Sequence, residues 1–317
     1  MSMIGRNYVL TIQTNDTKYN YDPKTLNPPY IPTPISLEAK YITIKNPFTI
    51  EFTINRNADA TSNNTMFLDV YNLAEKTRDL IFQDRWPNKL FPAQWKSISL
   101  VAGYDKLYDV FLGNVTCCTT LRNGADIITR IECFDGQETK GMFSAKTFTG
   151  NVTKQEVIDS LINDFTTIKK GTVFSIPGNF PRGVTVQGNT FELISKYTDN
   201  KCFVDLNKIN VLTYDQYIPP VNTYLAAYEQ SKEIPVINVD TGLLQIPQRE
   251  ESTIRIQTMF APFVQIGQKI KLQSRYQTKY NGTFKVIGLQ HKGIISDAIA
   301  GTLTSSFQLQ VPIGGFV

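Results

Sequence analysis

His291 is the one histidine of the chain, so a Ser-His-Asp relay or an imidazole-bearing zinc site would have to be built around it. Acyl transfer of that kind needs a nucleophile held at a sharp turn, and no Gly-x-Ser-x-Gly elbow occurs. Zinc needs three or four ligands, and neither cysteines nor a carboxylate cluster accompany His291. Its place in an alternating stretch predicts a structural histidine, hydrogen-bonded inside a β unit. Two facing carboxylates could hydrolyse a glycosidic bond, and Asp105, Asp109, Asp126, Glu132 and Asp135 crowd one stretch. Beside Gly and Asn, however, aspartate ordinarily builds turns, so this stretch reads as a hairpin rather than an acid–base pair. Asp297 beside Ser296 reads the same way. Asp135-Gly136 lacks the Asp-x-Asp-x-Asp-Gly ladder of a calcium loop. No Walker pattern and no Gly-x-Gly-x-x-Gly after a strand is present to cradle phosphate. The expectation is no catalytic residue, no cofactor and no metal.

Composition narrows the field further. Cys117, Cys118, Cys133 and Cys202 include no Cys-x-x-Cys pair, and adjacent Cys117 and Cys118 would point to opposite faces of a strand. Reduced, buried thiols of a protein made in cytoplasm fit this pattern. The net charge of +4 is spread along the chain without a basic block, which argues against a dedicated nucleic-acid face. An apolar content of 41% against 19% charged residues is that of a globular chain rather than a disordered one. No apolar run approaches the roughly 20 residues of a bilayer-spanning helix. Met1 to Arg6 is not followed by an apolar signal core, so secretion by signal peptide is not expected. The 15 tyrosines, with Trp86 and Trp95, could stack sugars, but core and interface packing is the commoner use of such residues.

The elements that must position these residues are mostly strands. A length of 317 residues allows about two or three domains. Period-two alternation predicts strands at Tyr8–Ile12, Tyr41–Ile44, Thr49–Ile54 and Met66–Tyr71. Pro28, Pro29, Pro32 and Pro34 predict an extended connector without regular hydrogen bonding, and Arg56 to Thr65 reads as a polar loop. Asn72 with Glu75 has the spacing of a capping box ahead of a short helix, Leu73 to Phe82. A meander follows: Ser97–Ala102, a turn at Gly103-Tyr104-Asp105, Val110–Leu121, an Asn123-Gly124 turn and Ile127–Phe134. From Phe143 the texture changes. Thr153 and Glu156 form a second capping-box pattern, with Val157, Ile158, Leu161, Ile162 and Phe165 at helical spacing. Strands at Gly171–Ile176 and Val184–Val186, a helix at Asn189–Tyr197 and a hairpin turning at Asn207-Lys208 complete a small α/β module. Residues Asp215 to Pro235 are linker-like. A last meander then holds strand Thr253–Met259, alternation through Ile266, Ile270 and Leu272, a tight Asn281-Gly282 hairpin turn, Thr283–Leu289 and Thr302–Val311.

The order of these motifs resembles the baseplate or tail hub proteins of contractile-tailed bacteriophages, related to the hub part of type VI secretion spikes. Four stretches carry the resemblance. Val70-Tyr71-Asn72-Leu73 with Thr77-Arg78 is similar to the strand-then-helix element of the hubs' first domain. Ala102-Gly103-Tyr104 leading to Phe111-Leu112-Gly113 is similar to their most specific hairpin. Gly183 to Leu212 resembles their middle domain. Ile266 to Asp297, with Thr302 to Val311, looks like their closing β domain. The proline-rich segment from Asn27 to Pro34 departs from the pattern.

That resemblance implies a mainly β fold with a small α/β insert: two tail-tube-like antiparallel β-barrels flanking an α+β domain. The expected domains are 1–145, 146–234 and 235–317. The first and last share a plan, which suggests duplication of one barrel. The implied role is structural and not enzymatic: a homotrimeric hub joining a sixfold tail tube to a threefold cell-puncturing spike. Implied partners are the spike, the tube protein and a tape measure protein. DNA would pass through the lumen without sequence-specific contact, and nothing would enter a membrane. Such a protein resides in the virion baseplate after assembly in host cytoplasm. The alternatives are a tail-tip adhesin or carbohydrate-binding module and, ranked last, a cell-wall hydrolase. Expected interface residues are Ile313, Phe316 and Val317 of the apolar C-terminal tail, and Arg56 and Asn63 of the first-domain loop.

Overall fold

The computed structural model describes residues 5–27, 31–60, 63–84, 95–219 and 234–311, with side chains left aside at 19–27 and 31–37. The first unit holds strands β1 (Asn7–Gln13), β2 (Lys18–Asn27), β3 (Ile31–Glu38), β4 (Tyr41–Lys45), β5 (Ile50–Asn57) and β6 (Thr65–Tyr71). Helix α1 (Glu75–Ile81) and strands β7 (Ser97–Gly103), β8 (Leu107–Asn123) and β9 (Asp126–Phe134) complete it. Alternation does the folding work. In β5 every second residue from Ile50 to Arg56 is buried, so one face is covered by apolar side chains while the other stays wetter.

The middle unit holds β10 (Phe143–Phe148), β11 (Val152–Thr153), α2 (Lys154–Ile162), β12 (Lys169–Val173), β13 (Asn179–Phe180), β14 (Val184–Asn189), α3 (Thr190–Tyr197), β15 (Cys202–Asp205) and β16 (Lys208–Val211). The Thr153–Glu156 capping box is formed in both directions at the start of α2. Asn189 caps α3 by accepting the Phe191 and Glu192 amides. Val157, Ile158, Leu161 and Ile162 of α2 are buried in one cluster with Ile194 of α3 and Ile209 and Val211 of β16.

The last unit holds β17 (Val236–Ile237), β18 (Gln248–Arg249), β19 (Thr253–Met259), β20 (Lys269–Leu272), β21 (Gly282–Ile295) and β22 (Leu303–Gln310). Here the topology departs from two closed cylinders. Thirteen strands of the first and last units form one sheet along the path β18-β19-β22-β21-β5-β6-β9-β8-β7-β1-β4, with β20 and β17 branching from β21. No closed barrel occurs among the described residues. The seam is β21. Its start pairs with β20, and Gly288 to Ile295 then pair with Asn57 to Ile50 of β5. Phe260, Ile295 and Leu303 of the last unit are buried in the first unit's core, so the two β-units share apolar interior as well as backbone bonds.

Several local expectations are corrected. The prolines at 32 and 34 lie in β3, which pairs antiparallel with β2 as a separate two-stranded ribbon. Proline is tolerated there because each strand of such a ribbon is an edge. Helix α1 has Ala74 at its N-cap position and no side-chain cap. Asn72, at φ +57, instead accepts the Ile127 amide and donates to Asp126. Asn281-Gly282 is not a tight turn either. Asn281 has φ −72 and ends a 3-10 turn, and the β20–β21 hairpin is closed by 273–281. The Asn281 side chain clamps that longer loop by accepting the Ser274 amide at 2.6 Å. The turn of β15–β16 is Leu206-Asn207, both left-handed at φ +52 and +53, one residue earlier than expected. Gly124 at φ +61 does form the β8–β9 turn. Gly103 is required at the β7–β8 turn, because a Cβ there would lie 1.9 Å from the Lys106 carbonyl oxygen. All four cysteines are buried and free. No described helix is long and apolar enough to cross a membrane.

Candidate functional site

The carboxylates that crowd together in sequence are spread apart by the fold. Asp105 lies in the turn before β8 and Asp126 opens β9 just beyond its far end, and β8 has 17 residues and is therefore roughly 50 Å long. Asp126 is bonded to Asn72 at 2.9 Å. Among the described residues no three His, Cys, Asp or Glu side chains converge to hold a metal. Of that stretch only Asp135 joins another buried carboxyl, and it does so at a junction of all three units.

Arg56 is the centre of that junction. The expectation placed it in an exposed loop, but it is the last inward-facing residue of β5 and only 1% exposed. It is therefore corrected from a surface candidate to an internal tie. Its Nε donates to Asp205 Oδ1 at 2.7 Å and its Nη2 to Asp205 Oδ2 at 2.5 Å, a two-pronged pair with the middle unit. Nη2 also donates to Gln265 Oε1 of the last unit at 2.6 Å, and Nη1 to the Val110 carbonyl of β8. Gln265 in turn donates to the carbonyls of Asp109 and Pro262. Guanidinium suits this place because its planar fork can bind one carboxylate twice and still reach other acceptors.

Asn64 and Asp135 line the other side. Asn64, 1% exposed, donates to the Val204 carbonyl and to Asp205 Oδ1 and accepts the Asn57 amide. Asp135 accepts the Asn207 amide at 2.9 Å, while Gly136 donates to Asn207 Oδ1. Gly136 is at φ +67, and a Cβ there would meet Val204 at 2.8 Å, so only glycine lets the β15–β16 tip come this close. Burial, reinforced by the neighbouring Asp205, pushes the Asp135 carboxyl up to about 7. Burial likewise raises Asp109, against the pull of Lys208 and Arg56. An open groove of about 950 Å³ runs past Asp135 between Ala60, Asn63 and Asn64 on one side and α3 on the other, lined also by Lys140, Glu192, Lys196 and Asp199. Asn63 is exposed there.

His291 is wholly buried, as a structural histidine should be. Its Nδ1 lies 2.7 Å from Ser305 Oγ, which accepts the Ala261 amide. Phe260 and Phe307 meet the ring edge-on at 5.2 and 6.3 Å between centroids. Burial first, and Arg56 second, push its pKa down to about 3. The unfolded imidazole binds a proton below about 6.5 and the folded one only near 3. Its contribution is therefore full above about 6.5 and falls by about 1.4 kcal/mol per pH unit on acidification. Between about pH 7 and 5, urea unfolding of the wild type is expected to lose about 2 kcal/mol more than His291→Gln. Equal losses in the two proteins would refute a neutral His291. The opposite contribution of Asp135 is common to both and cancels in the comparison.

Of the other expected site residues, Ile313, Phe316 and Val317 lie outside the described residues, as does Trp86. Trp95 is half-buried at the start of the segment leading into β7. No local motif marks Asp205, Asn64 or Gln265 in the sequence. Their signal was indirect: the period-two pattern of β5, carried one step beyond Ile54, puts a charged residue on an apolar face and so demands buried partners.

This fold recurs in solved tail proteins. The chain is similar to the 43 kDa tail protein of prophage MuSo2 from Shewanella oneidensis, with a TM-score of 0.54, 8% identity, and 95% of this chain and 97% of that one covered. It is similar to a tail protein from Neisseria meningitidis MC58, with a TM-score of 0.52, 9% identity and 96% of each chain covered. It also resembles the E. coli c3393 protein, a type VI secretion component described as similar to the T4 tail proteins gp27 and gp5. There the TM-score is 0.53 and the identity 10%, with 85% of this chain and 76% of that one covered. At such identities the likeness concerns fold alone. No curated protein matches the sequence at a significant level. A family model described as "Baseplate hub gp41" matches residues 31–294, most of the chain. The chain belongs to that baseplate hub family and is a structural protein of the phage tail.

Proposed function

We propose that this protein is a trimeric hub that joins the sixfold tube of a contractile tail to a threefold cell-puncturing spike. Residues 1–145 and 235–317 act as two tail-tube-like β-units, with 146–234 as the α/β unit between them. The observation that carries the reading is the β5–β21 seam, which sets two antiparallel β-units side by side in one chain. Three such chains present six β-units, so a threefold spike and a sixfold tube meet without a symmetry mismatch. The strand edges at which the described sheet ends, β4 and β18, would be covered by neighbouring copies, which removes an aggregation hazard from the assembled ring. Function then lies in shape and paired surfaces, and DNA passes through the lumen. No observation favours the carbohydrate-binding or hydrolase alternatives.

The test is oligomeric mass in solution, alone and with the spike protein. The trimer mass is expected at least in the presence of the spike, since tail subunits can await a partner before assembling. A persistent monomer in both conditions would overturn the reading. Deletion of Ile313 to Val317 is expected to leave the unfolding midpoint unchanged and to weaken assembly. A deletion that unfolds the monomer would place the tail in the core.

A further inference from the structure

The β15–β16 tip enters its socket as a plug. Asp205 reaches Arg56 and Asn64, and the Asn207 amide reaches Asp135, so one turn of the middle unit is gripped by β5, Asn64 and the residue after β9. Gln265 of the last unit closes the far side through Arg56. Arg56, Asp205 and Asp135 are each less than a tenth exposed. Two buried carboxylates thus face one buried guanidinium, and an uncompensated charge is costly in such surroundings. The Asp205 carboxylate is committed, because it accepts two guanidinium bonds and one from Asn64. Among the described residues Asp135 accepts backbone amides of the turn itself and no side-chain donor. A proton held by the cluster therefore belongs on Asp135.

The other charged groups nearby largely offset one another. Asp109 of β8 faces Lys208 of β16 and Arg56 as opposite charges, although burial still raises its carboxyl. Along the groove, Lys140 and Lys196 stand with Glu192 and Asp199. That groove gives water, and hence protons, a path to Asp135.

We propose that plug and socket form a proton-operated catch, which clamps the middle unit to the two β-units while Asp135 is protonated and loosens when that proton leaves. Withdrawing the tip removes Asp205 and exposes Asp135, so its carboxyl returns from about 7 towards the ordinary 3.8. Docking accordingly takes up a proton. It weakens by up to about tenfold per pH unit as pH rises from about 4 to about 7, and levels off above that. The catch concerns the chain itself and holds whether or not the trimeric hub reading does.

The test is amide hydrogen exchange on the full chain at about pH 5.5 and about pH 8, corrected for intrinsic rates. Protection of the amides at 205–208, relative to the β5–β21 ladder, is expected to fall at least about tenfold between the two conditions. Asp135→Asn, which keeps an acceptor without a titrating proton, should hold its protection at both. Unchanged protection in the wild type, or an equal fall in the variant, overturns the catch. Should Asp135→Asn not fold, a carbon-13 carboxyl titration of the wild type decides the matter. A midpoint near 7 supports the catch, and one in the ordinary carboxylate range overturns it.

Discussion

Asp205→Ala is expected to lower the free energy of unfolding by about 3–5 kcal/mol, the cost of leaving a buried charge without its partner. Arg56 cannot turn to water, since it is 1% exposed and held by the Val110 carbonyl and Gln265 as well. Removal of the carboxylate also strands one Asn64 donor. A control separates loss of the pair from loss of packing. Arg56→Met with Asp205→Leu replaces both charges by apolar volume, so it is expected to lose less than the single variant although Asn64, Gln265 and the Val110 carbonyl lose partners. Urea unfolding of the two proteins checks both statements. A single variant within about 1 kcal/mol of wild type would mean that water or Asp135 takes over the guanidinium. A second readout follows from the same geometry. With Asp205 gone, the Asp135 carboxyl should titrate lower than in wild type, because Asp205 is one of the two influences raising it.

Phe260→Ala is the other large effect, about 3–5 kcal/mol for truncating a buried phenylalanine. Phe260 follows β19 in the last unit, yet its ring lies in the first unit's core at 3% exposure. It meets Phe52 and Tyr104 edge-on, each at 6.2 Å, and His291 at 5.2 Å. The cavity would open where the two β-units share their interior, so the β5–β21 amides should lose exchange protection before those of α2. Phe260→Leu, which keeps most of the volume, should cost less than about 2 kcal/mol. An alanine variant losing less than about 1 kcal/mol, with β5–β21 still protected, would show that the backbone seam alone holds the units together.

These two residues also show how far the chain could be read before folding. The strand character of β5, β19 and β22 was plain, because period-two burial is a local property of neighbouring residues. The same holds for α2, where Thr153 and Glu156 satisfy orphan amides within one helical turn. Asn72 with Glu75 and Asn281 with Gly282 carry equally good local signals. In the structure Asn72 serves the Ile127 amide and Asn281 serves Ser274. At Asn72 a distant donor outbids the short-range motif, and at Asn281 a longer loop does. The proline-bearing stretch was read as unpaired because Pro32 and Pro34 lack amides, but an edge strand needs only some of its donors to form a ribbon.

Composition and alternation were enough to establish a mainly β chain with an α/β insert, buried thiols and a structural histidine inside a strand. The order of motifs was enough to find the family, since hairpin glycines such as Gly103 answer to steric demands within a few residues of chain. Which strands meet across the chain was not readable. Pairing of β5 with β21 joins residues more than two hundred positions apart, and any alternating strand offers the same ladder to any other. The three-way grip on Arg56 was hidden for the same reason. A charged residue on an inward face announces that partners are needed, while their identity depends on which turn and loop the folded chain brings within 3 Å.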